Sequence, residues 1–81
     1  MLEKLLKFYE ACHNVKQSLW LSLEHDKVAD WYLTIQHEDS LTTIFESNEC
    51  SLNLLCARAY IALAEWARED EKLEDIECNL E

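Results

Sequence analysis

The chain contains neither glycine nor proline. Glycine is the residue that enters left-handed backbone at no steric cost, and proline presets the first bend of many turns. A chain without either must close its turns with Asp, Asn and Ser, of which Asn and Asp tolerate positive φ best. Tight turns are therefore costly here. The composition leans towards helix without excluding short strands joined by Asp- or Ser-containing turns.

The 81 residues suit one domain, 1–81. A chain of this size buries only about 60% of the surface its unfolded form exposes, so its core has to be efficient. Apolar residues make up 49% of the sequence, which is ordinary for a globular core and too many for intrinsic disorder. No apolar run approaches the ~20 residues that cross a bilayer, and none reads as a signal peptide. Cys12, Cys50, Cys56 and Cys78 show no CxxC spacing. They are expected as reduced thiols packing like small hydrophobes, in a cytoplasmic protein.

Residues 2–13 carry Leu2, Leu5, Leu6, Tyr9 and Cys12 at the spacing of one helix face. Glu3 and Lys7 form an i,i+4 pair in the favourable order. In 17–24, Leu19, Leu21 and Leu23 alternate with Ser18, Trp20 and Ser22, which predicts a strand with one leucine face. A helix continuing through Val15, Leu19 and Trp20 is the alternative. The polar His25-Asp26-Lys27 suits a turn. Residues 30–37 and 41–47 are rich in aromatic and β-branched residues and are separated by Glu38-Asp39-Ser40, so they predict a hairpin. Leu41 and Phe45 oppose Ile44 in parity, which leaves the register of the last strand open.

A helix starts near Ser51, with Asn48 to Ser51 supplying N-caps and Leu52, Leu55, Ala59, Ala62, Leu63 and Trp66 forming its stripe. The stripe resumes at Leu73, Ile76 and Leu80 beyond the acidic run Glu69-Asp70-Glu71. An unbroken helix over 51–80 would be about 45 Å long. A compact domain of this length has a diameter of roughly 30 Å. The helix must bend or break near 69–71, or its end must project, leaving 70–81 as an acidic helical tail. The expected fold is α+β: helix, three-stranded antiparallel sheet, long C-terminal helix, with the helices on one sheet face. The alternative is an all-α bundle in which 15–38 are helical.

Chemistry is thinly represented. His13, His25 and His37 accompany the cysteines, and His25 and His37 could meet at one end of a hairpin. No local ligand pair of the kind that marks zinc sites is present, so no metal is expected. No glycine-rich phosphate loop, no activated nucleophile and no paired buried carboxylates are readable. The chain is also short for a pocket that encloses a substrate. The expectation is a non-enzymatic protein without cofactor.

Charge is more informative. Seventeen acids against seven bases give −10, and residues 65–81 hold eight of those acids and two bases, a net −6. Direct binding to nucleic acid or to an anionic membrane needs a positive surface and is not expected. The acids either keep a small protein soluble or dock a basic protein partner. In the docking reading Glu69, Asp70, Glu71, Glu74, Asp75 and Glu77 form the binding surface. If Leu19, Leu21 and Leu23 face the core, Trp20 and Tyr32 share the outer sheet face as interface aromatics. In a second reading Leu73, Ile76 and Leu80 extend past the core and pack across a two-fold axis in a homodimer.

In size, element order and the acids of 69–77, the chain resembles the small acidic inhibitors of bacteriophages, including anti-CRISPR proteins that mimic nucleic acid. The resemblance implies a phage or mobile-element protein, acting in a bacterial cytoplasm, that occludes a basic site on a nucleic-acid-handling partner. It rests on organisation and charge, not on a matched motif.

Overall fold

The computed structural model describes residues 1–28, 30–70, 72, 73 and 76. Its elements are α1 (Leu2–Val15), β1 (Leu19–Asp26), β2 (Asp30–His37), β3 (Thr42–Glu49) and α2 (Leu52–Arg68). The fold is α+β, with the strands in the order β1-β2-β3 and both pairings antiparallel.

Segment 19–26 is a strand, not a continuation of α1, and the all-α alternative falls with it. Its leucines give the reason. At 100° per residue a helix would put Leu21 on the side opposite Leu19, whereas a strand keeps Leu19, Leu21 and Leu23 on one face. They pair with His37, Ile35 and Leu33. Leu19, Leu33 and Ile35 are buried, and Leu21 and Leu23 pack against them.

The same face of the sheet receives both helices. From α1 come Leu5, Phe8 and Cys12, and from α2 come Leu55, Cys56, Ala59, Leu63, Ala64 and Ala67. Phe8 replaces the expected Leu6, which is 41% exposed. The Phe8 ring lies 4.9 Å from that of Tyr60, tying α1 to α2. Small alanines on α2 let it sit close to its neighbours. The expected parity conflict in β3 is resolved by a bulge. Ile35 pairs with Phe45 and Gln36 with Thr43, so Ile44 is the extra residue, and both Ile44 and Phe45 pack on the core.

The turns meet the lack of glycine in two ways. After β1, the Val28 N–H donates to Asp26 Oδ1 at 2.8 Å, a side-chain-closed turn, and Asp30 takes φ 57°. After β2, the Leu41 N–H donates to the Glu38 carbonyl at 3.1 Å, and Leu41 takes φ 53°. Asp tolerates that region, but leucine does not.

The C-terminal helix breaks where expected. Ser51 Oγ accepts from the Leu54 N–H at 3.2 Å to start α2. The helix ends at Arg68, and Asp70 starts a new turn: its Oδ1 accepts from the Lys72 N–H at 2.8 Å, and its carbonyl accepts from the Leu73 N–H at 3.0 Å. Asp70 Oδ2 also meets Lys16 Nζ at 3.1 Å, just past α1. The break folds the chain back, so that Leu73 is 1% exposed inside the core and Ile76 packs against it. The Cα radius of gyration is 12.4 Å and the longest extent 39 Å, which a straight 51–80 helix would exceed. No helix among the described residues is long and apolar enough to cross a membrane.

Candidate functional site

The three strands together hold five carboxylates, Glu24, Asp26, Asp30, Glu46 and Glu49, and no lysine or arginine. The bases sit elsewhere. Lys4 lies over the Tyr60 ring, Lys7 pairs with Glu3, Lys16 pairs with Asp70, and Arg58 of α2 pairs with Glu49. The strands themselves thus carry acids without Lys or Arg, although Lys27 sits in the β1–β2 turn between Asp26 and Asp30 and the helices carry both signs.

Pairing register sets which side chains share the outer face. Trp20, Gln36 and Thr43 form one row, Ser22, Thr34 and Glu46 the next, Glu24, Tyr32 and Asn48 a third, and Asp26 with Asp30 the last. No described element covers this face. Trp20 and Tyr32 are half-buried there, as the leucine parity requires. They are not neighbours: Trp20 and Glu24, the partner of Tyr32, are four residues apart, about 13 Å along a strand. Thr34 lies in the row between them and is only 6% exposed. The face thus offers two aromatic plates flanking a shallow centre, with carboxylates along it.

Of the six acids expected to form the tail surface, Glu69 and Asp70 are among the described residues. Glu69 is exposed. Asp70 is committed to Lys16 and to the Lys72 N–H, and those contacts hold its carboxyl below the usual carboxylate range, the backbone donor contributing most. Glu71, Glu74, Asp75, Glu77 and Leu80 lie outside the described residues. Leu73, expected at a two-fold interface, is instead in the core of the monomer, because the turn at Asp70 brings it back onto the helical layer.

A second feature was not readable from spacing. A cavity of about 260 Å³ is lined by His37, Ser40, Trp66, Glu69 and Asp70. It lies where the end of β2 meets the end of α2, and the His37 and Trp66 rings are 5.3 Å apart at 52°. Hydrogen bonds link the imidazole to the β2–β3 turn. Thr42 Oγ1 donates to the Ser40 carbonyl, so it accepts from Ser40 Oγ at 2.8 Å. The Ser40 hydroxyl also lies 2.7 Å from His37 Nδ1, within hydrogen-bond distance. The other ring nitrogen, Nε2, faces the interior. That nitrogen is sealed from water and has no partner. A buried polar atom left unsatisfied costs about 1–3 kcal/mol.

His25 stacks on Trp31 at 4.3 Å near the β1–β2 turn, at the opposite end of the sheet from His37, so the two histidines do not meet. Among the described residues no group of three or more His, Cys, Asp or Glu side chains is arranged to hold a metal. Burial pushes the Cys12 thiol up to about 11 and raises Cys56 as well. Both stay protonated at neutral pH and are poor nucleophiles. No protein-family model matches the chain, and no curated protein or solved structure is significantly similar to it.

Proposed function

We propose that this is a non-enzymatic binding protein whose outer sheet face docks on a basic surface of a nucleic-acid-handling protein and occludes it. The observation that supports the reading is a sheet face, uncovered by any described element, whose strands present Glu24, Asp26, Asp30 and Glu46 and no Lys or Arg, the nearest base in sequence being Lys27 in the β1–β2 turn. Such a face steers and orients a cationic partner, and Trp20 and Tyr32 supply the rigid apolar area that concentrates binding energy. The sequence adds Glu69, Asp70, Glu71, Glu74, Asp75 and Glu77 to the same sign of charge. Size, order of elements and charge resemble phage inhibitors of the nucleic-acid-mimic type, which accords with a mobile-element origin.

The test is affinity capture from a bacterial lysate, followed by displacement of nucleic acid from each captured basic protein, across rising salt. Glu24→Gln with Glu46→Gln is compared with Glu3→Gln with Glu10→Gln, which removes the same charge from α1. Loss of capture and displacement confined to the sheet pair is expected, with the remaining binding weakening as salt shortens the Debye length to about 8 Å. Equal loss from both pairs would reduce the effect to net charge and sink the reading.

A further inference from the structure

The two edges of the sheet differ. Edge β3 carries the bulge at Ile44, a device that spoils pairing with a further strand. Edge β1 pairs with β2 in unbroken register from Leu19 to Asp26 and holds neither lysine nor proline. The Ser18 carbonyl accepts from the Glu38 N–H on the β2 side. By strand alternation, Leu19, Leu21, Leu23 and His25 turn their N–H and C=O groups away from β2. Tyr9 of α1 occupies the first of these: its hydroxyl donates to the Leu19 carbonyl at 3.1 Å, and the Leu21 N–H acts on the same oxygen. Among the described residues nothing pairs with the outward backbone groups of Leu23 and His25. The core side is open at the same place. Leu19 is 1% exposed, whereas Leu21 and Leu23 are only half-buried, and Leu6, one turn before Tyr9 on α1, is exposed.

We propose, on the basis of the docking reading, that the β1 edge from Leu21 to His25 receives an extended segment of the basic partner as a fourth strand, in which basic residues alternate with apolar ones. The backbone of that segment serves the outward groups of Leu23 and His25. A strand sends successive side chains to opposite faces, so the two faces of the edge specify two kinds of residue. On the outer face Glu24 is exposed and β1 has no lysine or arginine, Lys27 lying in the turn beyond it, which suits a cation beside Glu24. On the core face the half-buried Leu21 and Leu23 suit aliphatic side chains, and the His25–Trp31 stack closes that strip. Charge favours a foreign strand over a second copy of this chain. Each copy carries −10, and a second β1 would bring Glu24 and Asp26 again and no Lys or Arg.

The experiment is an NMR titration of the backbone amides with acetylated, amidated peptides of about six residues. One peptide alternates lysine and valine, a second holds the same residues in two blocks, and a third has glutamate in place of lysine. Two N-methylated forms of the first remove the N–H groups of one parity or of the other. The alternating peptide is expected to slow hydrogen exchange at the Leu23 and His25 amides, with an affinity of about 1 mM or tighter. Binding should be at least about fivefold weaker for the blocked peptide and undetectable for the glutamate one. N-methylation of one parity should abolish binding and of the other should leave it, because only every second N–H faces β1. Glu24→Gln, an exposed change, should weaken the lysine peptide severalfold. No change at Leu23 up to about 10 mM peptide, equal binding of the glutamate peptide, or equal losses from both methylated forms overturns the proposal. Protection at Leu23 that precedes any peptide and grows with protein concentration gives the edge to a second copy and overturns it as well. Salt-sensitive capture of basic proteins that leaves the Leu23 amide unprotected defeats the strand assignment alone. Strand addition by the peptide without salt-sensitive capture defeats the docking reading alone.

Discussion

Leu41 holds left-handed backbone with φ 53° while its side chain is 92% exposed. Its Cβ therefore meets the steric cost of that region, about 1–2 kcal/mol for an ordinary L-residue, with little apolar burial in return. Asp30 holds the same kind of φ more cheaply, because its short polar side chain tolerates it. The composition makes such strain foreseeable, since a chain without glycine must place other residues where turns demand positive φ. Which residue would bear it was not foreseeable, because that depends on where the β3 bulge sets the hairpin register. Leu41→Asn should stabilise the protein by about 0.5–1 kcal/mol, measured as a raised urea midpoint with unchanged slope. A lowered midpoint would mean that Leu41 makes a contact worth more than the strain.

At the scale of elements, the apolar period separated helices from strands wherever it was unambiguous. Leucines at every second position favoured a strand with one core face over a helix continuing through Val15, Leu19 and Trp20, and 19–26 is a strand, as is 30–37 with the bounds expected. The β3 parity conflict could not be resolved locally. A bulge is chosen by how two neighbouring side chains, Ile44 and Phe45, fit the layer above them, and that layer is not in the strand's own sequence. The start of α2 was legible from Ser51, whose hydroxyl satisfies one N–H that the first helical turn leaves open. Ser51→Ala should cost about 1 kcal/mol, read as a lower denaturation midpoint. A midpoint unchanged within error would show that water caps the helix equally well.

At the scale of the whole molecule, the contact between Lys16 and Asp70 joins the segment after α1 to the turn after α2. The Asp70 carboxyl is held below its ordinary value of 3.8, first by the Lys72 N–H and then by Lys16. A lowered carboxyl value means that its stabilising contribution is complete above about pH 4 and is lost as pH falls through the lower, folded value. Asp70→Asn should therefore cost about 1 kcal/mol near pH 7, and the gap to the parent protein should close in acid. Urea melts at about pH 7 and about pH 2.5 measure this, and a gap of constant size would rule out the charge as its cause.

The sequence by itself favoured the α+β class over an all-α bundle, a leucine face on β1 with Trp20 and Tyr32 opposite it, and an interruption of the last helix just past Arg68 or a projecting end. Each follows from a periodicity or a residue preference that acts over a few neighbouring positions. The tertiary structure decided what depends on residues far apart in the chain. It buried Leu73, which the stripe alone assigned to a partner, because Asp70 turns the chain back onto the helices. It placed Glu24, Asp26, Asp30 and Glu46 on the outer sheet face and Glu49 on the other, paired with Arg58. It also brought His37, Ser40, Trp66 and Glu69 around one cavity from two elements whose separation in sequence gives no sign of their meeting.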